Sequence, residues 1–406
     1  MNTAELVLVR ARVVTPARGE GAARGREMSV MTVIPDATVA VSGGLIAAIG
    51  VGECGLRGER TIDCAGRVVV PGFVDCHTHL CWAGERIDEW DMKLRGVPYL
   101  DILARGGGIM STVRAVRTAS RRELSELLDE RLAQCLAEGT TTVEIKSGYG
   151  LSTKDEMKML EAIAESASRW PGRVVMTALL GHAIDAETPG FVGKTVNETL
   201  DEVHRCFAGC AVDVFIEKGA WSLEDGRALL SRARELGHPV RGHVDQFTDL
   251  GGVGLCTSLG AMSVDHLEAS SAATLASLGQ SSTVAVGLPI CGLHLDGRYA
   301  NLRTVIDAGG AAAIATNCNP GSAPCVSVPM AMAAAARHCG LNYAEALCGA
   351  TRNAAAVLGL SGGVIAAGER ADLCVLSTRD ERDLAFRLGG RLVSRVICGG
   401  RDQADC

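Results

Sequence analysis

The sequence predicts a parallel (β/α)8 barrel of the TIM type, with a small β-sandwich-like domain built from both chain termini. Three observations lead there. Eight short, strand-like apolar runs recur through the middle of the chain, most of them separated by helical periodicity. Both ends have a different texture, of β-rich runs between turns. Finally, 406 residues with 47% hydrophobic and 21% charged side chains supply a large core and exclude a disordered chain.

Taken in order, the chain opens with β-rich runs at 6–14, 37–41, 45–49 and 66–70. Residues 15–31, rich in Gly and Arg, read as a mobile loop between the first two. Barrel strands are expected at 69–75, 140–146, 174–180, 211–216, 239–244, 261–266, 283–288 and 311–316. The clearest helix covers 121–138. There Leu124, Leu127, Leu128, Leu132 and Leu136 share one face, with Ser120 as N-cap and Gly139 as the stop. A second helix at 222–236 opens on the capping pair Ser222 and Asp225. Runs at 372–376 and 391–398 return to the β-rich texture. The expected division is 1–69 with 357–406 for the composite β-domain, and 70–356 for the barrel.

Composition narrows the function. Forty basic against 47 acidic side chains give a net charge of −7, which disfavours binding to phosphate backbones. The uncharged stretches 269–295 and 308–336 are broken by Pro, Gly, Ser or Asn, so no membrane span is expected. Sixteen cysteines without a C-x-x-C pair read as small buried hydrophobes in a reducing compartment, not as disulfides or a structural zinc site. The expectation is a soluble, cytoplasmic protein.

In such a barrel the chemistry gathers at the C-terminal ends of the strands. The first predicted strand closes with Asp75-Cys76-His77-Thr78-His79, and two His at i and i+2 on a strand point the same way. The fifth ends at His243, the sixth at His266 and the eighth at Asn317, while His182 follows the third. One such His is most simply a core residue; their joint placement at strand ends points to a metal. His204, His238 and His338 fall in helix or loop contexts and carry no such reading.

These residues carry a resemblance. The segment Pro71-Gly72-Phe73-Val74-Asp75-Cys76-His77-Thr78-His79-Leu80 resembles the opening metal motif of the amidohydrolase superfamily, and the segments 350–355 and 368–373 resemble its closing part. Within it the chain is similar to the imidazolonepropionase family, through 83–86, 99–109, 144–150, 243–246, 265–268 and 319–322. The resemblance implies His77, His79 and His243 as ligands of one zinc or iron ion, with Asn317 at the fourth ligand position. It implies Arg86, Tyr149, His182 and Gln246 around the imidazolone ring and its propionate, Tyr99 in the pocket, and Asn319, Gly321 and Ser322 at the acyclic end. His266, Gln246 and Asn317 occupy the catalytic positions. It further implies hydrolysis of a small anionic cyclic amide, 4-imidazolone-5-propanoate, to N-formimidoyl-L-glutamate, by a homodimer. Lys146 invites a carbamylated, two-metal reading, but it belongs to a different strand-end motif and is not assigned one.

Two positions depart from that pattern. Asn317 stands where the family has a metal-binding, proton-accepting Asp, and Leu293 and His294 replace an aromatic pair, placing His294 in the pocket. Three functions therefore stay open. One is ordinary ring opening with a weakened or relocated base. Another is an enzyme repurposed to hydrolyse or form another cyclic amide or amidine in specialised metabolism. The last is a ligand-binding protein that has lost hydrolysis.

Overall fold

The computed structural model describes residues 3–52, 57–98, 101–102 and 105–403. The N-terminal strands are β1 (Thr3–Pro16), β2 (Met31–Ser42), β3 (Leu45–Val51), β4 (Arg57–Asp63) and β5 (Val68–Pro71). Eight strands follow in the middle: β6 (Phe73–Asp75), β7 (Thr140–Lys146), β8 (Arg173–Gly181), β9 (Ala211–Ile216), β10 (Arg241–Val244), β11 (Ser263–His266), β12 (Val284–Gly287) and β13 (Ala312–Ile314). The chain ends with β14 (Leu373–Leu376), β15 (Val393–Cys398) and β16 (Arg401–Asp402).

The middle strands pair in parallel and in chain order from β6 to β13. The two ends meet just past the strands: Asn317 N donates to His77 O at 3.0 Å and His79 N to Cys318 O at 2.9 Å. This is the predicted barrel. The terminal strands form one mixed sheet in the order β16-β15-β14-β5-β1-β2-β3, with β4 branching from β1. Its own apolar core includes Leu8, Val13, Val39, Val41, Ile46, Val69, Leu373 and Ile397.

The expected first barrel strand at 69–75 is two strands in two sheets. β5 pairs with β1 and β14, while β6 pairs with β7. The switch falls at Gly72, whose N–H goes to Asp372 O at 2.8 Å while that of Phe73 goes to Gly139 O at 3.0 Å. A Cβ on Gly72 would stand 2.3 Å from Thr141 Oγ1, so only glycine lets the chain cross there.

The stretch 15–31 is not a mobile loop. Ala23 and Met28 are fully buried, and the Asn353 amide both accepts from Ala23 N (2.7 Å) and donates to Ala23 O (2.9 Å). Arg352 donates to the carbonyls of Ala17 and Gly21, and Gly25 N to Gly310 O. The segment is a strap whose backbone groups are held by residues 285 to 335 positions away, a contact that local Gly and Arg content cannot reveal.

The helix at Arg121–Ala137 starts with a complete capping box between Ser120 and Glu123, and buries Leu124, Leu128 and Leu132. The helix at Leu223–Glu235 is capped by Ser222, which accepts from Asp225 N. Every cysteine among the described residues is a free thiol, and most are buried. No helix among the described residues is long and apolar enough to cross a membrane.

Candidate metal and active site

Strand alternation turns one set of side chains into the barrel: Glu144 and Lys146 from β7, Asp213 from β9, Arg241 and His243 from β10, Asp265 from β11. All are buried, and they form a charged layer under the strand ends. Lys146 Nζ binds Glu144 (2.7 Å) and Asp213 (2.9 Å), and Arg241 binds Asp265 (2.7 Å) and lies 3.3 Å from Glu144. The Glu144 and Asp213 carboxylates both sit on Lys146 Nζ, inside the charged layer.

This layer positions the histidines above it. His77 Nδ1 meets Asp265 Oδ2 at 2.6 Å, and His243 Nδ1 meets Asp213 Oδ1 at 3.1 Å. Burial pushes the Asp213 carboxyl up, but His243 and Lys146 outweigh it and hold it well below its usual value. A carboxylate on one ring nitrogen fixes the tautomer and leaves the other nitrogen as a lone-pair donor. Accordingly His77 Nε2 is buried with no partner, as is His79 Nδ1. His79 Nε2 lies 3.4 Å from His243 Nε2, and its ring stacks on His182, centroids 4.9 Å apart.

Burial, reinforced by Lys146 and the neighbouring rings, holds His77 well below the usual imidazole pKa; burial with His182 and His243 does the same for His79. Burial also lowers His243, against the pull of Asp213. Neutral, converging imidazoles with orphaned nitrogens fit a divalent cation. Donors on His77, His243 and His266 lie mutually within 4.8 Å, with His79 joining through His243.

His266 behaves differently. Its Nδ1 lies 3.3 Å from Glu268 Oε1 and its ring also meets Cys291. Burial alone would lower its pKa, but these two partners raise it to about 10. His266 therefore carries a proton beside neutral rings. Asn317 is buried in the left-handed region (φ 57°), and its Oδ1 has no partner among the described residues. Asp75, raised to about 7 by burial, ties the eighth strand to the first by accepting from Thr316 N and Oγ1.

The remaining predicted positions divide. Tyr149 and His182 sit together, centroids 5.0 Å apart, and His182 Nδ1 meets Gly148 O; burial lowers the His182 pKa to about 3. Gln246 Nε2 donates to Cys291 Sγ at 3.3 Å. Arg86 is already paired: Glu89 takes its guanidinium at 3.1 and 2.8 Å, and is itself held by Gly108 N and Ser111 Oγ. Gly321 lies under that guanidinium, where a Cβ would stand 2.1 Å from Arg86 Nη1. The Asn319 carboxamide is spent on its own loop, accepting from Gly321 N and Ser322 N and donating to Ser322 Oγ. His294 stacks on Trp90, centroids 6.4 Å apart. Tyr99 lies outside the described residues.

Sequence reasoning missed Asp213, Asp265, Glu268 and Cys291. The first two were findable: each is a lone acid inside an apolar strand, a pattern that requires a buried partner.

Residues 68–401 match the amidohydrolase family. The chain is 43% identical to an imidazolonepropionase of Herpetosiphon aurantiacus, across 93% of this chain and 92% of that one. It is 44% identical to an imidazolonepropionase of Deinococcus radiodurans, across 94% and 95%. Among solved structures it resembles 5-methylcytosine deaminase from Klebsiella pneumoniae, with a TM-score of 0.73 at 17% identity over 98% of this chain and 97% of that one, a likeness of fold.

Proposed function

The chain belongs to the imidazolonepropionase family of the amidohydrolases, and we propose that it opens the lactam ring of 4-imidazolone-5-propanoate to give N-formimidoyl-L-glutamate. The observation that carries this reading is the set of buried neutral imidazoles, His77, His79 and His243, of which His77 and His79 each have an unpartnered ring nitrogen, beside a protonated His266.

The assigned ion is one zinc or iron, held by His77, His79 and His243 with Asn317 beside them, since imidazole suits both metals. When bound, it would supply Lewis-acid polarisation of the lactam carbonyl and a more acidic water. The chain's own residues would do the rest. Arg86 takes the propionate, exchanging Glu89 for the substrate carboxylate. Tyr149, His182 and Gln246 hold the polar ring. His266, kept protonated by Glu268, donates a hydrogen bond to the lactam carbonyl while water adds to its carbon, gives its proton to the ring nitrogen as the C–N bond breaks, and regains a proton from the added water. Asp265 and Asp213 keep His77 and His243 oriented.

One observation favours a second reading, in which the same site acts on a different cyclic amide or amidine. Asn317 has no basic lone pair, so it cannot take a proton from water. Steady-state assay on 4-imidazolone-5-propanoate, with bound metal quantified, decides between them. The expected result is ring opening with about one equivalent of metal, both lost in the His77→Ala/His79→Ala double variant. Folded, metal-loaded protein that leaves this substrate untouched would overturn the first reading.

A further inference from the structure

A second set of metal-type donors lies beside the first. At the end of β11 the backbone turns left-handed at two consecutive non-glycine residues, His266 (φ 85°) and Leu267 (φ 75°). Such backbone is strained and persists only where the surroundings hold it. The turn brings His266 and Glu268 to one side. Cys291, from the short helix Pro289–His294 that follows β12, meets them there. The ring nitrogen, carboxylate oxygen and thiol sulfur lie within 4.8 Å of one another. The Glu268 side chain is 5% exposed, yet its Oε2 has no partner among the described residues. A buried carboxylate oxygen with no partner among the described residues, beside a thiol and an imidazole, fits a cation.

We propose that His266, Glu268 and Cys291 form a second cation site, adjoining that of His77, His79 and His243, for a thiophilic divalent ion of the zinc class; His266 stands between the two, since it also lies within 4.8 Å of the donors on His77 and His243. Nitrogen, oxygen and sulfur together suit zinc or cobalt, whereas magnesium and calcium take oxygen shells. A carboxylate and a thiolate offset the two positive charges. As the ion binds, the thiol proton and the imidazole proton leave to solvent, and the Glu268–His266 contact is exchanged for ligation. Gln246 Nε2, which already donates to Cys291 Sγ, can donate to a ligated thiolate without moving. A ligated His266 cannot pass on a proton, so excess zinc would slow turnover. That consequence rests on the function proposed above; the site itself does not.

The test titrates the full chain, loaded with its resident ion, with cobalt(II) and then zinc. The expected result is one further equivalent of cobalt with a near-ultraviolet thiolate-to-cobalt absorption that zinc displaces. Cys291→Ala should remove that band and weaken the further equivalent by about 100-fold or more, since even residues behind a ligand are worth about 10–100-fold. Glu268→Gln should weaken it by at least about tenfold, and the His77→Ala/His79→Ala double variant should keep the band. Absence of a further equivalent in the wild type overturns the proposal, as does a band that survives Cys291→Ala. Inhibition by excess zinc, relieved in Cys291→Ala, is the kinetic counterpart. If no turnover is found at all, the functional reading fails while the cobalt band still judges the site.

Discussion

Replacing Asp265 by Asn tests whether the charged layer under the histidines builds the metal site. Asp265 is fully buried and its Oδ2 serves two groups, His77 Nδ1 at 2.6 Å and Arg241 Nη2 at 2.7 Å. The amide keeps the shape but removes the charge. Breaking one half of a buried ion pair costs about 3–5 kcal/mol. Arg241 retains Glu144 at 3.3 Å and Ser263 Oγ at 3.0 Å, so the lower end, about 3 kcal/mol, is expected. His77 meanwhile loses the carboxylate that fixes its tautomer, which should weaken metal binding by about 10–100-fold. Urea unfolding of the metal-free protein reads the first quantity, and chelator competition at neutral pH the second. A stability change below about 1 kcal/mol, the size of an ordinary neutral hydrogen bond, together with unchanged metal affinity, would refute the reasoning.

Three further outcomes follow from the same geometry. Asn317→Asp places a carboxylate in a left-handed position that Asp tolerates, where Oδ1 has no partner. It should raise ring opening at least about tenfold, the low side of what a general base contributes; a loss of rate in steady-state assay would favour the repurposed-enzyme reading. Glu89→Gln removes the charge that occupies Arg86, so KM for the anionic substrate should fall by about tenfold, the worth of a charge-assisted hydrogen bond; an unchanged KM would remove Arg86 from carboxylate binding. His182 has its folded pKa lowered from 6.5 to about 3, so its contribution is present above pH 6.5 and is lost as pH falls towards 3. From pH 6.5 to 5 the loss is about 2 kcal/mol at about 1.4 per unit. Unfolding of wild type and His182→Gln at both pH values reads it as a shrinking difference; a constant difference refutes it.

Much of this molecule was legible in its sequence, for identifiable reasons. Strand alternation and helix periodicity are properties of the local backbone, so runs such as 140–146 and 211–216 have the same bounds in the structure. The N-cap at Ser120, read from the sequence, is completed by Glu123 within four residues and needs no distant partner. The same alternation brings His77 and His79 to the mouth of the barrel, and topology adds His243 and His266. The strand break at Gly72 and the buried strap before β2 were not legible, because Thr141, Asp372, Arg352 and Asn353 impose them from far along the chain.

Pairing decided the rest. The sequence by itself determined which residue types reach the strand ends, because local periodicity and motif spacing control that. Only the tertiary structure decided their states: Asp265 on His77 across 188 residues, Asp213 on His243 across 30, and Glu89 already seated on Arg86. It also set His266 between Glu268 and Cys291, protonated among rings that burial keeps neutral. The physical reason is that a side chain's charge depends on desolvation and on neighbours within a few ångströms, and in a closed barrel those neighbours come from other strands.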